Sequence, residues 1–271
     1  MPPSIPLHLV NAFITDGLFT GNPAAVCQLG RWLDDAVLQA MAAQHNLSET
    51  AFLVPAGEGW ELRWFTPAVE VDLCGHATLA AAAALQAAGN ARERYTFATR
   101  SGELRVEASA DGVFWMDFPA MPAETVEIAP GLEAIFGPVV AAGRNALDYL
   151  LVEVASAEAV EAFDSRARAA ALEALEAFGL ILTAPGSGRP GEADFVSRFF
   201  APRAGVLEDP VTGSAHCALF PWWAEKLGRR SLQARQLSVR GGTVAGELSG
   251  PDRVRLGGRA QLYATGCIAL P

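Results

Sequence analysis

The chain has 271 residues, of which 51% are hydrophobic and 18% are charged, so it can form one large or two smaller domains with a buried core. Its net charge of −10 leaves no basic footprint for nucleic acid, and no apolar run reaches the ~18 residues of a membrane helix. Residues 1–6 hold three prolines and no basic residue, which predicts that the protein has no signal peptide and is cytoplasmic.

In the first half of the chain, the pattern predicts strands around two helices. Apolar residues at helical spacing predict a helix over 33–45 that ends at Asn46, and a second helix over 76–88 is closed by Gly89. The second helix is apolar on nearly every face, so we expect it to run through the middle of its half. The predicted strands are β-rich stretches between turn signals, at 7–14, 24–29, 50–54, 62–65, 95–107 and 113–118.

The second half repeats this order. It contains a predicted helix over 167–178, strands around Leu180 and Val196, a central helix over 214–227, and short strands to the end. Prolines between 119 and 130 indicate a junction, so we predict domains at 1–118 and 119–271, with a final strand that can pack on the first domain. Strands around one helix, twice over, predict an α+β fold of two similar, barrel-like, mostly antiparallel domains.

An internal repeat supports this division. The segments 63–71 and 198–206 share an arginine, an aromatic residue, a proline and a final valine at matching positions. Both then lead to a glycine, Gly75 or Gly213, that opens an alanine-rich helix, with three extra residues after Val206 in the second copy. That insertion contains Asp209, which precedes a proline and by itself is typical of a turn. Similar halves favour a ligand site in the cleft where they meet.

The matched glycines predict two anion sites. A helix start presents free N–H groups and a partial positive charge, which suits a carboxylate in a chain of net negative charge. His76 in the first helical turn would be a neutral proton donor or acceptor, because the dipole disfavours imidazolium. The simpler interpretations are that Gly75 and Gly213 only permit tight turns, and that Ser214 is only a helix-start hydroxyl.

Other residue types limit the chemistry. Lys226 is the single lysine and resembles a residue of a last helical turn, and no Walker A loop is present, so pyridoxal and nucleotide-phosphate chemistry are not expected. The cysteines are far apart and are predicted to be free thiols: Cys27, Cys74, Cys217 and Cys267. The spacing of Cys74 and His76 from the pair at 216–217 does not match known zinc sites, so no metal is predicted.

A two-thiol racemase built on Cys74 and Cys217 is a further hypothesis, and the repeat argues against it. The residue that matches Cys74, just before the helix glycine, is Thr212. Cys217 lies about one turn inside a buried helix, where a thiol is expected to pack.

Four motifs resemble the phenazine-biosynthesis PhzF-like isomerase family. In order along the chain they are Phe19 to Val26, Asn46 to Phe52, Phe65 to Pro67 with Cys74 to Thr78, and Glu208 to His216. The resemblance runs from about Val10 to Gly242, which is most of the chain. It implies a diaminopimelate-epimerase-like fold with the active site between two domains, a homodimer, and cofactor-free isomerisation of a small carboxylate by proton transfer.

The resemblance also implies roles for individual residues. Glu49, which composition alone does not single out, is similar to the family's general acid/base, and His76 and Asp209 are similar to its other catalytic groups. The substrate-binding positions that it implies are Asn22, Gly75, Ala77, Gly213 and Ser214.

Two other functions stay open at this point. An amino-acid epimerase would use Cys74 as a thiol with an acid partner, because the epimerase relatives keep a catalytic thiol there. A non-catalytic small-molecule-binding or interaction protein would keep the cleft without the chemistry.

Overall fold

The computed structural model describes residues 4–189 and 191–270, so the interpretation of the chain start lies in part outside the described residues. Its first stretch contains, in order, β1 Ser4–Ala12, β2 Asn22–Gln28, α1 Asp35–His45, β3 Glu49–Ala56, β4 Gly59–Phe65, β5 Glu70–Val71, α2 Gly75–Ala87, β6 Arg94–Thr99, β7 Gly102–Ala108 and β8 Phe114–Pro119. None of the helices in the described parts of the chain is long and apolar enough to cross a membrane.

The second stretch has more short elements. They are β9 Glu124–Val126, α3 Leu132–Phe136, β10 Val139–Arg144, β11 Tyr149–Val154, α4 Ala157–Glu161, α5 Ala169–Glu173, β12 Gly179–Pro185, β13 Phe195–Ala201, β14 Val206–Asp209, α6 Gly213–Leu227, β15 Ser231–Gln236, β16 Gly242–Leu248, β17 Arg253–Gly258 and β18 Ala260–Ala269. Six of these have no counterpart in the sequence-based prediction: β9, α3, β10, β11, α4 and β14.

Two predicted elements differ from the structure. The stretch 95–107 is a hairpin of β6 and β7, because Gly102 has a φ of +96° and Thr99 Oγ1 donates to its carbonyl at 2.7 Å. The helix expected over 167–178 is only α5, five residues long. The backbone N–H of Phe178 donates to the carbonyl of Asp148 at 2.9 Å, and this tertiary bond draws the chain into β12.

The chain divides into two compact units, residues 1–117 with 257–271, and residues 118–256. The division after 117 lies one residue from the expected boundary, but the segment from Gly257 onward belongs to the first unit. Strand pairing explains this difference, because β18 is antiparallel to β1 along its length, from Ser4 opposite Ala269 to Ala12 opposite Ala260.

The two units have the same strand pairing, which confirms the α+β class and the duplication. In the first unit β2 and β3 are parallel, β3 and β4 antiparallel, β4 and β6 parallel, and β6 and β7 antiparallel. In the second, the corresponding pairs are β11 and β12, β12 and β13, β13 and β15, and β15 and β16, with the same directions. Parallel neighbouring strands must be joined by a crossover connection. The second such connection of each unit, from β4 to β6 and from β13 to β15, contains the long central helix.

The register corrects the alignment of the copies. Trp64 pairs with Val71 in the first unit, and its counterpart Phe199 pairs with Asp209 in the second. Asp209 therefore takes the place of Val71, four residues before the helix glycine in both copies. Equivalent residues of the two copies are defined here by strand pairing and not by the match of the two valines. By this pairing, the three extra residues of the second copy lie before Asp209, in a 3-10 turn at Pro202–Ala204.

Both central helices are buried, as predicted. Helix α2 contacts β1, β2, β3, β7 and β18, and five of its seven alanines are buried. Helix α6 contains Pro221, which has no N–H for the carbonyl of Cys217. The backbone N–H of Met121 donates to that carbonyl at 3.0 Å instead, so the helix continues without an unsatisfied buried group.

The packing of α6 on β16 generates a stability prediction. A Cβ at Gly246 would lie 2.2 Å from Cζ of Phe220, which is fully buried and stacks edge-on against Phe195. Gly246→Ala should therefore lower the free energy of unfolding by about 1–3 kcal/mol, measured by urea denaturation. Gly250→Ala, where the nearest atom is 3.7 Å away, is the matched control. Equal stability of the two variants would contradict this view of the core.

Candidate active site

Glu49 is held by the crossover from α1 to β3. Helix α1 ends at His45, and the N–H of the next residue, Asn46, donates to the carbonyl of Ala42 at 3.1 Å, while its left-handed backbone, with a φ of 50°, turns the chain out of the helix. The chain then enters β3 at Glu49, which pairs with Ala24 of the parallel strand β2. Its side chain is 19% exposed, so the carboxylate is mostly enclosed but open to a ligand.

His76 and Cys74 come from the start of α2. Cys74 is the extended residue before the helix, and its side chain makes no capping bond to the backbone N–H groups. His76 Nε2 lies 3.2 Å from Oε2 of Glu49, at ion-pair distance but without the alignment of a hydrogen bond. Its other nitrogen, Nδ1, lies 3.5 Å from Sγ of Cys74. The structure thus brings together Glu49, Cys74 and His76, which the sequence separates by 27 residues.

The imidazole of His76 is neutral at physiological pH. Burial lowers its pKa from 6.5 to about 3. The sequence predicts a neutral imidazole from the helix dipole, whereas in the structure the main cause is the loss of hydration.

Asn22 determines which nitrogen of His76 carries the proton. Its amide nitrogen lies 3.4 Å from Nδ1, and Ser48 Oγ donates to its carbonyl oxygen at 3.2 Å, which orients the amide. An amide N–H facing Nδ1 makes that nitrogen an acceptor, so the proton of the neutral ring lies on Nε2, toward Glu49. The motif position of Asn22 thus has a physical role that the sequence did not reveal.

One ligand-type atom from each of Glu49, Cys74 and His76 lies within 4.8 Å of the other two. This group differs from the one weighed in the sequence, which joined Cys74 and His76 to the pair at 216–217. His216 Nδ1 instead donates to the carbonyl of Thr212 at 2.7 Å, and burial lowers its pKa to about 4. Cys217 is buried in helix packing, as expected, and burial raises the pKa of its thiol to about 12.

In the second unit, Asp209 ends β14, and Gln236 holds the turn that follows it. The Gln236 side chain donates to the carbonyl of Asp209 at 2.7 Å and accepts the N–H of Thr212 at 3.0 Å. The hydroxyl of Thr212 donates to the Asp209 carboxylate. Thr212 then leads into Gly213, the first residue of α6, again with no side-chain cap.

Ser214 is contacted by Tyr149, a residue that sequence reasoning missed. The phenol oxygen lies 3.0 Å from Ser214 Oγ, and burial raises the pKa of Tyr149, with a smaller contribution from the Asp209 carboxylate. Tyr149 begins β11 as Asn22 begins β2, and each reaches the second residue of its central helix. By strand pairing Tyr149 corresponds to Ala24, because it lies opposite Gly179 as Ala24 lies opposite Glu49, so the repeat gave no signal for it.

The comparisons with known proteins identify the family. The family model for phenazine biosynthesis-like proteins matches residues 10–266, so this chain belongs to that family. The chain is 49% identical to an uncharacterized isomerase of Pseudomonas aeruginosa, over 97% of this chain and 98% of that protein. It is 41% identical to a PhzF-family phenazine biosynthesis protein of Enterococcus faecalis, whose crystal structure covers 99% of this chain and 100% of its own with a TM-score of 0.90.

A more distant structure shows the fold alone. The crystal structure of a hydroxyproline epimerase from Agrobacterium vitis matches 100% of this chain and 94% of its own, with a TM-score of 0.64 and 12% identity. The expected epimerase-like fold is therefore confirmed, while the substrate named for that protein carries no weight here.

The tautomer assignment gives a direct test. Asn22→Asp replaces the amide donor by a carboxylate that can only accept, so the proton of His76 should move from Nε2 to Nδ1. Nitrogen-15 chemical shifts of the labelled imidazole at neutral pH report this change. Ser48→Ala is the control, because it removes the bond to Asn22 but keeps the amide next to Nδ1. Unchanged shifts in Asn22→Asp would show that another group sets the tautomer.

Proposed function

We propose that this protein is a cofactor-independent isomerase that moves a proton on a small cyclic or amino-acid-like carboxylate, with Glu49 as general acid/base. The observation that carries the proposal is the neutral His76, whose Nε2 lies 3.2 Å from the Glu49 carboxylate. Membership of the phenazine biosynthesis-like family and relatives named as isomerases support the reaction class.

The geometry suits a shuttled proton. A general base must lie within hydrogen-bond reach of the proton it removes, at about 3 Å. It must also be accessible to the substrate while being partly enclosed, and Glu49 meets this second condition. The Nε2–H of His76 lies beside the Glu49 carboxylate, 3.2 Å away but not aligned as a hydrogen bond, and can take part in returning the proton at the second position. Because the ring is neutral, it does not occupy the Glu49 carboxylate as a cation would, and the carboxylate stays available to the substrate.

The helix starts suit the substrate carboxylate. Neither N-cap side chain of α2 or α6 makes a capping bond, so the first backbone N–H groups, those of Gly75, His76 and Ala77 in α2, are directed away from the helix. Such groups stabilise the negative charge that develops when a proton next to a carboxylate is removed. We extend the proposal to the second unit, where Asp209 is a second catalytic group and Gly213 and Ser214 bind the same substrate.

The reaction of phenazine biosynthesis, isomerisation of a dihydro-hydroxyanthranilate, is the model for the substrate class. The homodimer, the cleft between the domains and the cytoplasmic location stay predictions from the sequence.

An amino-acid epimerase is the second candidate, and one contact favours it. Cys74 Sγ lies 3.5 Å from His76 Nδ1 and close to Glu49, so a thiol and a carboxylate are both present. Thr212, which stands in the matching position before the other helix, excludes a two-thiol version, so an epimerase would have to pair Cys74 with an acid. A binding protein without catalysis would have no need of the neutral histidine beside Glu49.

The Glu49 assignment predicts a loss of turnover without a loss of binding. Glu49→Gln keeps shape and most polar contacts but cannot accept the proton, so turnover of dihydro-hydroxyanthranilate or the active analogue should fall about 10²–10⁴-fold. In deuterated water, wild type should place deuterium on the substrate carbon and the variant should not. The exposed Glu58→Gln is the matched control. If Glu49→Gln still places deuterium on the substrate at the wild-type rate, the general acid/base is His76 or Asp209 and not Glu49.

The helix starts predict a preference for carboxylates. Anthranilate should raise the melting temperature, whereas anthranilamide, which has the same ring and no charge, should not. Equal stabilisation by both compounds, or no effect across a panel of cyclic carboxylates and their amides, would contradict carboxylate binding there.

The thiol distinguishes the two enzyme candidates. Cys74→Ser should keep most of the turnover if Glu49 is the base, because the thiol only lies beside His76. A loss of about 1,000-fold, the size expected for a missing acid/base group, in a variant with an unchanged circular dichroism spectrum would establish the epimerase mechanism.

A further inference from the structure

We propose that Tyr149 is a positioning residue that leaves the hydroxyl proton of Ser214 free for the substrate carboxylate. The phenol donates its proton to Ser214 Oγ, so Ser214 must direct its own proton to another acceptor. This inference rests on the proposed function, in which Ser214 binds the substrate. It extends that function to a residue that acts only through Ser214.

Packing holds the phenol of Tyr149 against Ser214. Tyr149 is 7% exposed, and its phenol oxygen lies 3.0 Å from Ser214 Oγ. The ring stacks on Phe178, with centroids 6.2 Å apart, and meets Phe199 edge-on at 5.1 Å. Within residues 4–189 and 191–270, Ser214 is the one hydrogen-bond partner of the phenol. The contact between the two hydroxyls is therefore set by the ring and does not depend on a ligand.

Burial decides which of the two hydroxyls donates. Only one proton lies between the two oxygens, so the other proton needs a different acceptor. If Ser214 donated, the proton of the buried phenol would have no acceptor in the described part of the chain, and leaving a buried donor unpaired is destabilising. Ser214 is half-buried, so water or a bound anion can accept its proton. Burial also raises the pKa of Tyr149, so the phenol keeps the proton that it donates.

The position of Ser214 makes this proton useful for a carboxylate. Ser214 is the second residue of α6, after Gly213, and the Thr212 side chain does not cap the first N–H groups of that helix. The hydroxyl adds one more donor to those N–H groups. A hydroxyl that accepts a hydrogen bond is itself a stronger donor, because the bonds of a chain polarise one another. The first unit also fixes a proton through a neighbour, since the Asn22 amide leaves the proton of His76 on Nε2.

Calorimetric binding of anthranilate to the full chain tests the role of the phenol. Ser214→Ala should weaken binding about 10–100-fold, the effect of losing a hydrogen bond to a charged group. Tyr149→Phe removes one oxygen and keeps the ring, so it should weaken binding about 2–10-fold, the effect of losing a neutral hydrogen bond. Tyr263→Phe, which alters an exposed tyrosine, is the matched control and should bind anthranilate like wild type. Wild-type affinity in Tyr149→Phe would overturn the inference.

The double variant separates positioning from a direct or purely structural role. Because Tyr149 acts through Ser214, Tyr149→Phe should cause no further loss of anthranilate affinity in a chain that already carries Ser214→Ala. If the two losses add in full, Tyr149 contacts the ligand itself or supports the fold, and the inference is overturned.

A measurement without ligand determines the direction of the bond. The tyrosine doublet in the Raman spectrum reports whether a phenol donates or accepts, and the difference between wild type and Tyr149→Phe isolates Tyr149. Tyr149 should show the donor pattern, and Ser214→Ala should remove it, whereas an acceptor pattern in wild type would overturn the inference. If wild type binds anthranilate no better than anthranilamide, the carboxylate site of the proposed function is wrong. The Raman spectrum then still decides whether Tyr149 donates to Ser214.

Discussion

The burial of one apolar helix inside each sheet is the constraint on which the site depends. A helix wrapped by strands must start where the sheet ends, and its first backbone N–H groups have no partner within the helix. Cys74 and Thr212 stand where a capping side chain would satisfy those groups, and neither does so. The fold therefore maintains two polar helix starts at the edge of two apolar cores.

The two copies use the same positions with different chemistry. The first residue of β3 is Glu49, while its counterpart at the start of β12 is Gly179. A Cβ at Gly179 would lie 2.7 Å from the rings of Tyr149 and Phe199, so the second copy has no space for a side chain there. Ser214 occupies the position of His76, and Tyr149, which lies opposite Gly179 as Ala24 lies opposite Glu49, contacts Ser214. The carboxylate and imidazole thus belong to one copy only.

The same kind of ion pair supports the start of the central helix in both units. Arg63 makes a two-pronged ion pair with Glu70, at 2.7 Å for each bond, on the strand that leads to α2. Arg198 makes the same pair with Glu208, at 2.6 and 2.8 Å, on the strand that leads to α6. All four side chains are at least four-fifths buried, so each pair is strengthened by its low-dielectric surroundings and holds the turn that precedes its helix.

Local pattern was enough for much of this protein. The apolar run at 76–88 determined a buried helix, the matched glycines at 75 and 213 determined where both central helices begin, and the motifs indicated Glu49 and His76. Contacts distant in sequence decided the rest. The position of Asp209 in the repeat depended on ladder register, and Tyr149 and Gln236 became visible only through their hydrogen bonds. The burial of His76 beside Glu49, and hence its neutral charge and the side of the ring that carries the proton, comes from tertiary packing, because hydration and hydrogen-bond partners are set by neighbours that no local pattern specifies.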